Sequence, residues 1–163
     1  MKSIHRTLWI IAALLLLLSG CRCPSNVLTA AEKEAIVGEV KGQFGQLVAA
    51  INQKDAAAWS GFYAADGFVS AIAGTESFAA RDEWVQAITA NFAMRESQQL
   101  EPLDVRVTVL APDLAVLTSA EKTDMTLAGG QTLKSKHVFT MIWKKEAAGW
   151  KIVHSHESWT DEP

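Results

Sequence analysis

The sequence predicts one α+β domain in which helices cover one face of a curved antiparallel sheet. Three observations support this fold class. Apolar residues recur every three to four positions in the helical segments of the first half, whereas from Leu103 onward they recur at every second position. Short turn motifs then divide the second half into four strands joined as a meander. The length of 163 residues and the apolar fraction of 49% suit one domain with a packed core.

The first predicted helix begins after Thr29. Thr29 and Glu32 form a capping box, in which each side chain accepts a hydrogen bond from the backbone N–H of the other residue. Gly38, Gly42 and Gly45 interrupt the helix, and each lowers its stability by about 1 kcal/mol relative to alanine. We therefore expect these glycines to allow a close approach to the sheet. The apolar stripe of the helix consists of Ile36, Val40, Phe44, Leu47 and Ile51.

Two shorter helices and one strand are predicted to follow. Asp55 is a suitable N-cap for the short helix in "DAAAWSGFYA". The segment "DGFVSAIAG" contains a turn and then a strand over residues 67–73. The segment "RDEWVQAITANFAMRES", residues 81–97, is predicted as the third helix. Its apolar residues lie four positions apart and are Trp84, Ile88 and Phe92.

Four strands make up the second half of the predicted domain. The first begins at Leu103, with apolar residues alternating with polar ones as far as Val109. The second runs from about Leu114 to Met125, after the turn "APD". The third is "TLKSKHVFTMIWKK" and the fourth is "WKIVHSHESW", with the turns "AGG" and "EAAG" before them. Each turn is short enough to join neighbouring antiparallel strands.

The N-terminus has the features of a secretory leader. Lys2 and Arg6 precede an apolar run that ends at Leu18, and the segment "LSGC" follows. This segment resembles the lipobox of bacterial lipoproteins, in which the cysteine, here Cys21, is lipidated and becomes the first mature residue. We therefore predict a signal peptide over residues 1–20, a tether over 21–28 and the folded domain over 29–160. The run is too short for a mature membrane-spanning helix, which needs roughly 20 residues.

The leader also predicts where the protein resides. Lipid chains on Cys21 would anchor the chain to a membrane of the cell envelope. Residue 22 is Arg rather than Asp, which in the lipoprotein resemblance favours the outer membrane, facing the periplasm, in an organism with two membranes. Cys23 is the other cysteine of the chain, so no disulfide is expected within the folded domain. Its role is open between an interchain disulfide, a second acylation and a free thiol.

Composition excludes some classes of partner. The formal net charge is −3, and no long basic run occurs in the folded part, so nucleic-acid binding is not expected. No phosphate-binding glycine loop, nucleophilic cysteine motif or Ser-His-Asp order is recognisable. The sequence therefore predicts no cofactor and no metal.

Four segments of residues 31–159 resemble the SnoaL-like branch of the nuclear-transport-factor-2-like superfamily, which is similar to the association domain of calmodulin-dependent kinase II. They are "NQKDAAAWSGFYAADGFVS", "FAARDEWVQAI", "VFTMIWKK" and the most specific one, "GWKIVHSHES". Ala80 departs from the family pattern, which usually has glycine there. The resemblance implies a cone-shaped sheet wrapped around the long N-terminal helix, an enclosed pocket and a homodimer formed through the outer face of the sheet.

The resemblance leaves several functions open, because its members include binders, enzymes and oligomerisation modules. We expect an envelope lipoprotein that binds a small, partly apolar ligand in its pocket. An alternative is a proton-transfer enzyme of the isomerase, dehydratase or cyclase type. A further alternative is a non-catalytic, dimeric protein-interaction module.

The histidines of the last strands are the first candidate site. Alternation puts Trp150, His154 and His156 on one face of the last strand. A register that pairs Trp143 with Trp150 pairs Phe139 with His154 and His137 with His156, so the three histidines would form a cluster. Such a cluster could be structural, could bind a ligand or act as general acid and base, or could hold zinc. A register shift of one residue would separate them.

Other candidates are single residues. The tentative catalytic residues are His154, His156 and Asp66. An aspartate before glycine is, however, also common in turns. The tentative ligand-pocket residues are Tyr63, Trp59, Phe139, Arg106 and His137. Tyr63 could donate its hydroxyl to a ligand, and Arg106 could bind an anion if its face of the sheet lines the pocket. A surface position for Arg106 and a core position for Tyr63 are the alternatives.

Overall fold

A computed structural model describes residues 27–161 of the chain. The predicted signal peptide, Cys21 and Cys23 lie outside these residues. Within them, no helix combines the length and the apolar character needed to cross a bilayer. The described residues contain three helices and six strands.

The helices begin where the sequence predicts. Helix α1 spans Ala30–Asn52, α2 spans Ala56–Ser60 and α3 spans Arg81–Ala93. The capping box at Thr29 is confirmed, since Glu32 Oε2 accepts from the Thr29 N–H at 2.7 Å and Thr29 Oγ1 accepts from the Glu32 N–H at 3.2 Å. Asp55 caps α2 by accepting from the Ala58 N–H at 2.9 Å. Helix α3 is four residues shorter than predicted.

The glycines of α1 do not approach the sheet, so that prediction is wrong. Gly38, Gly42 and Gly45 are exposed, and a Cβ atom built on each would meet no atom within 4 Å. The buried stripe instead matches the predicted apolar positions and adds Ala50. The helix therefore turns its glycines to solvent and its large apolar side chains to the sheet.

The strands form one six-stranded sheet in the order β2-β1-β6-β5-β4-β3. The last four form the predicted antiparallel meander. The sheet as a whole is mixed, because β1 pairs with β6 in parallel, and β2 was not predicted. The strand bounds are Ser70–Ala73 (β1), Glu76–Phe78 (β2), Arg95–Ala111 (β3), Leu114–Leu127 (β4), Thr132–Glu146 (β5) and Gly149–Asp161 (β6).

The core lies between α1 and one face of the sheet, called here the inner face. Met141, Trp143 and Ile152 are fully buried on this face, and the apolar stripe of α1 belongs to the same hydrophobic cluster. The other face, called the outer face, carries Val138, which is 53% exposed. The long strand β3 has several register irregularities, which bend a strand as β-bulges do. The sheet therefore curves around the helix. The predicted α+β fold with a curved sheet and an N-terminal helix is confirmed.

The predicted register of the last two strands is wrong. His137 lies opposite Trp159, Ile142 opposite His154 and Thr140 opposite His156. Two differences are responsible. The turn pairs Glu146 with Gly149, so Trp143 lies opposite Ile152 rather than Trp150, and Val153 is then an extra residue on β6 before the pair of Ile142 and His154. The backbone of residues 62–64 joins β6 at this point, through hydrogen bonds of 2.8 and 3.0 Å to Ile152.

The extra residue exchanges the faces of the remainder of β6. Before it, Trp150 and Ile152 point to the inner face, as alternation predicts. After it, Ser155, Glu157 and Trp159 share the face of their partners Met141, Phe139 and His137, which is the inner one. His154 and His156 accordingly lie on the outer face. The three histidines form no cluster.

Candidate functional site

An aromatic cavity lies between the three helices and the inner face of the sheet. The ring centroids of Trp59 and Tyr63 are 4.7 Å apart, and Trp59 meets Trp84 at 5.6 Å and Phe92 at 6.2 Å, both edge to face. This arrangement follows from the apolar spacing of α2 and α3, which turns one side of each helix towards the sheet. The cavity is small, with about 60 Å³ of space that a water-sized sphere can enter.

The cavity adjoins a second space, called here the end cleft, near the turn between β4 and β5. The end cleft has about 300 Å³ of space that a water-sized sphere can enter, and it is walled by Asn91, Ser135 and Trp159, among others. Four side chains line both spaces and are called here the collar. They are Ile88, Arg95, His137 and Glu157.

His137 and Glu157 form the best-defined polar pair of the collar. His137 Nδ1 lies 2.8 Å from Glu157 Oε1, and the two side chains are 9% and 18% exposed. His137 Nε2 lies 2.6 Å from Ser135 Oγ. With Glu157 ionised, its carboxylate can only accept, so Nδ1 carries the hydrogen and the Ser135 hydroxyl donates to Nε2. The imidazole is thereby fixed in one tautomer and in one orientation.

Arg95 brings a positive charge to the same collar. Its guanidinium donates to Gln98 Oε1 and lies 5.9 Å above the centre of the Phe92 ring. Burial lowers the pKa of Arg95, and the negative charge of nearby Glu157 opposes that change. Within residues 27–161, no carboxylate lies within 4.0 Å of this guanidinium.

Glu121 is a buried acid beside the collar. It lies opposite His137 in the β4–β5 register and is 1% exposed. Neither of its carboxyl oxygens has a hydrogen-bond partner among the described residues. Burial raises the pKa of Glu121 to about 7; the neighbouring Ser119 hydroxyl opposes the rise, and the charge of Glu157 adds to it. Glu121 therefore gains or loses its proton near neutral pH.

Four of the predicted ligand-pocket residues line the aromatic cavity, namely Trp59, Tyr63, Phe139 and His137. The Tyr63 hydroxyl donates to Ser155 Oγ at 3.2 Å, and burial raises the pKa of Tyr63 to about 12. Tyr63 therefore stays neutral and can serve only as a hydrogen-bonding group.

The remaining candidates lie away from the cavity. Arg106 is on the outer face, with a side chain that is 78% exposed and paired with Asp104 at 2.6 Å. His154 bonds to Ser70 Oγ at 2.9 Å on the outer face, and His156 is exposed there. Asp66 is exposed in the turn before Gly67, which has a φ of 76°. Arg106 therefore does not line the cavity and cannot bind an anion there. The predicted pocket position of His154 and His156 is also wrong.

Three polar residues of the site were missed by sequence reasoning. Glu157 was missed because simple alternation puts it on the face of the last strand opposite Trp150, and nothing in the sequence marks Val153 as the extra residue. Arg95 was placed in the third helix, although it is the first residue of β3. Glu121 had a detectable pattern, since it continues the buried alternation of Ala115 and Leu117 along β4. No group of three or more His, Cys, Asp or Glu residues in the described range is placed to hold a metal ion.

A family model described as the SnoaL-like domain matches residues 40–162, which is most of the chain. No curated protein matches the sequence.

Solved structures share the fold at low sequence identity. A candidate dehydratase of the NTF2-like (nuclear-transport-factor-2-like) family from Streptomyces avermitilis has a TM-score of 0.70 and 21% identity, over 77% of this chain and 97% of that one. Hexachlorocyclohexane dehydrochlorinase LinA-type3 from Novosphingobium barchaimii LL02 has a TM-score of 0.66 and 10% identity, over 82% and 94%. A candidate calcium/calmodulin-dependent protein kinase II association domain from Xanthomonas campestris has a TM-score of 0.66 and 19% identity, over 77% and 88%.

These structural likenesses show the fold alone, because all three identities are low. The family match covers the last part of α1, the cavity walls and every strand. The resemblance seen in the sequence is thus confirmed, and the chain belongs to the SnoaL-like domain family.

Proposed function

We propose that the chain binds a small, partly apolar molecule in the aromatic cavity. The observation that carries this proposal is the cavity itself, whose wall combines the rings of five Trp, Tyr and Phe residues with a polar collar on one side. An apolar ring can pack against Trp59, Trp84 and Phe92 while polar atoms of the ligand meet the collar. Sites of this kind bury most of a small ligand and orient it through a few polar groups.

Ligand binding is expected to depend on the free space beside Ile88. Isothermal titration calorimetry with cyclohexanol, a neutral six-membered ring, should detect binding to the full chain. Ile88→Trp puts a larger side chain into the collar and should weaken binding about tenfold or more. Gln86→Trp adds the same group to an exposed position of α3 and should change nothing. Equal affinity of the two variants, or no binding at all, would contradict the proposal.

A second function, proton transfer to or from the bound molecule, is favoured by the pair of His137 and Glu157. A histidine held by a carboxylate through Nδ1 can accept a proton at Nε2, and the carboxylate stabilises the imidazolium that forms. Ser135 Oγ occupies Nε2, so its hydroxyl must turn towards the ligand or pass the proton on. An elimination fits this arrangement, because removal of a C–H proton lets the electron pair form a double bond as a leaving group departs. Structures with this fold include the candidate dehydratase and the dehydrochlorinase named above.

We also propose that a lipid anchor on Cys21 holds the domain at a membrane of the cell envelope. Support comes from the leader sequence and its "LSGC" segment. In a bacterial host, Cys21→Ser should move the protein from the membrane fraction to the soluble fraction, whereas Cys23→Ser should leave it in the membrane fraction. Retention of the Cys21→Ser protein in the membrane fraction, without detergent, would argue against the anchor. Immunoblots of the two fractions measure the outcome.

A further inference from the structure

Arg95 is the charged group of the collar that has no oppositely charged side chain within 4.0 Å among residues 27–161. Its guanidinium carries five N–H donors, and the hydrogen bond to Gln98 uses one of them. Burial removes part of its hydration, which makes an unpaired cation costly. Glu157 supplies negative charge close to this guanidinium, but its Oε1 already accepts from His137 at 2.8 Å. The guanidinium therefore remains open to an anion from outside the chain.

The position of Arg95 fixes where such an anion would lie. Arg95 lines both the aromatic cavity and the end cleft, as His137 and Glu157 do. Its guanidinium is above the Phe92 ring, and Phe92 belongs to the aromatic wall. A ligand whose ring packs in the aromatic cavity would thus place a substituent at the collar, against Arg95 and His137.

The donor geometry of Arg95 favours a carboxylate as that substituent. Among residues 27–161, Glu157 is paired with His137, whereas the Arg95 guanidinium has no carboxylate within 4.0 Å. A planar guanidinium binds a carboxylate through two parallel hydrogen bonds, which gives both strength and orientation. A neutral amide of the same shape cannot supply that charge.

We propose that Arg95 selects ligands that carry a carboxylate on a small apolar ring, and that it holds the carboxylate at the collar. This inference rests on the proposed binding function and names the class of its ligand. It also places the ring carbon next to the carboxylate near His137.

Calorimetry with a matched pair of ligands tests the inference on the full chain. Cyclohexanecarboxylate should bind about tenfold or more tightly than cyclohexanecarboxamide, which has nearly the same shape without the charge. Arg95→Met should abolish this preference while leaving the amide affinity nearly unchanged. Arg95→Lys should keep part of the preference, because lysine supplies the charge without the two-pronged geometry. Arg95→Lys also serves as the decisive variant if Arg95→Met does not fold.

The control is Arg106→Met, which removes the same charge from the outer face and should keep the preference. Equal affinity of the natural chain for carboxylate and amide would overturn the role of Arg95 while leaving the binding function intact. Persistence of the full preference in Arg95→Met would do the same. Failure of both ligands to bind the natural chain would overturn the binding function, and the inference with it.

Discussion

Replacing Glu121 by glutamine should make the protein more stable at pH 8 and change its stability much less at pH 4.5. In the folded chain the pKa of Glu121 is raised to about 7 from an ordinary value of 4.5. The folded state therefore holds a proton that the unfolded state has already lost, so the free energy of unfolding falls as the pH rises between these values. Well above pH 7 the penalty is constant, at roughly 3 kcal/mol. Glutamine cannot ionise and removes this slope.

Urea unfolding at a series of pH values measures the effect. The difference in free energy of unfolding between Glu121→Gln and the natural chain should grow from pH 4.5 to pH 7 and then level off. Glu96→Gln provides the control, because Glu96 is exposed on β3 and the substitution removes the same charge. Parallel pH profiles for Glu121→Gln and the natural chain would show that the buried carboxyl does not titrate as described.

The stability cost of Glu121 connects the fold to the site. Its carboxyl lies opposite His137 and without a hydrogen-bond partner in the described part of the chain, where an apolar side chain would pack at no electrostatic cost. A buried acid of this kind is uncommon unless it is paired. When Glu121 ionises, it adds a negative charge near Glu157 and His137. The field at His137 therefore depends on the protonation state of Glu121.

Local patterns in the sequence predicted most of the fold. The caps at Thr29 and Asp55 and the stripe of α1 depend on residues within one or two helical turns of each other, so they can be recognised in the sequence. The meander followed from the change to a period of two and from short turns. These features establish the fold class without any knowledge of tertiary contacts.

The candidate site was harder to predict because it depends on register. The extra residue at Val153 arises where residues 62–64 meet β6, far away in sequence. One inserted residue moves every following side chain to the opposite face, so His154 and His156 were exchanged with Glu157 in the prediction. Arg95 was misplaced for a related reason. Residues 95–102 lack a period-two apolar pattern, and they form a strand through pairing with β4.

Because His137 lies on the inner face and His154 and His156 on the outer face, their substitutions should affect catalysis differently. A suitable probe is 5-nitrobenzisoxazole, a small flat ring system from which a base removes a C–H proton while the N–O bond breaks, giving a coloured phenolate. If His137 acts as a base in the cavity, the full chain should accelerate this reaction with saturation kinetics. His137→Gln should lower kcat/KM about 100-fold or more, which is the usual contribution of a positioned general base.

The matched controls are the outer-face histidines. His154→Gln and His156→Gln each remove one imidazole from the same two-strand region, but neither side chain lines the aromatic cavity or the end cleft, so both variants should retain full activity. Glu157→Gln should lower kcat more than it changes KM, because the imidazolium loses its carboxylate partner while the cavity stays the same. If His154→Gln lost as much activity as His137→Gln, the reaction would have to take place on the outer face. A rate no greater than that of the unfolded chain would leave binding as the function of the cavity and exclude His137 as a base for this reaction.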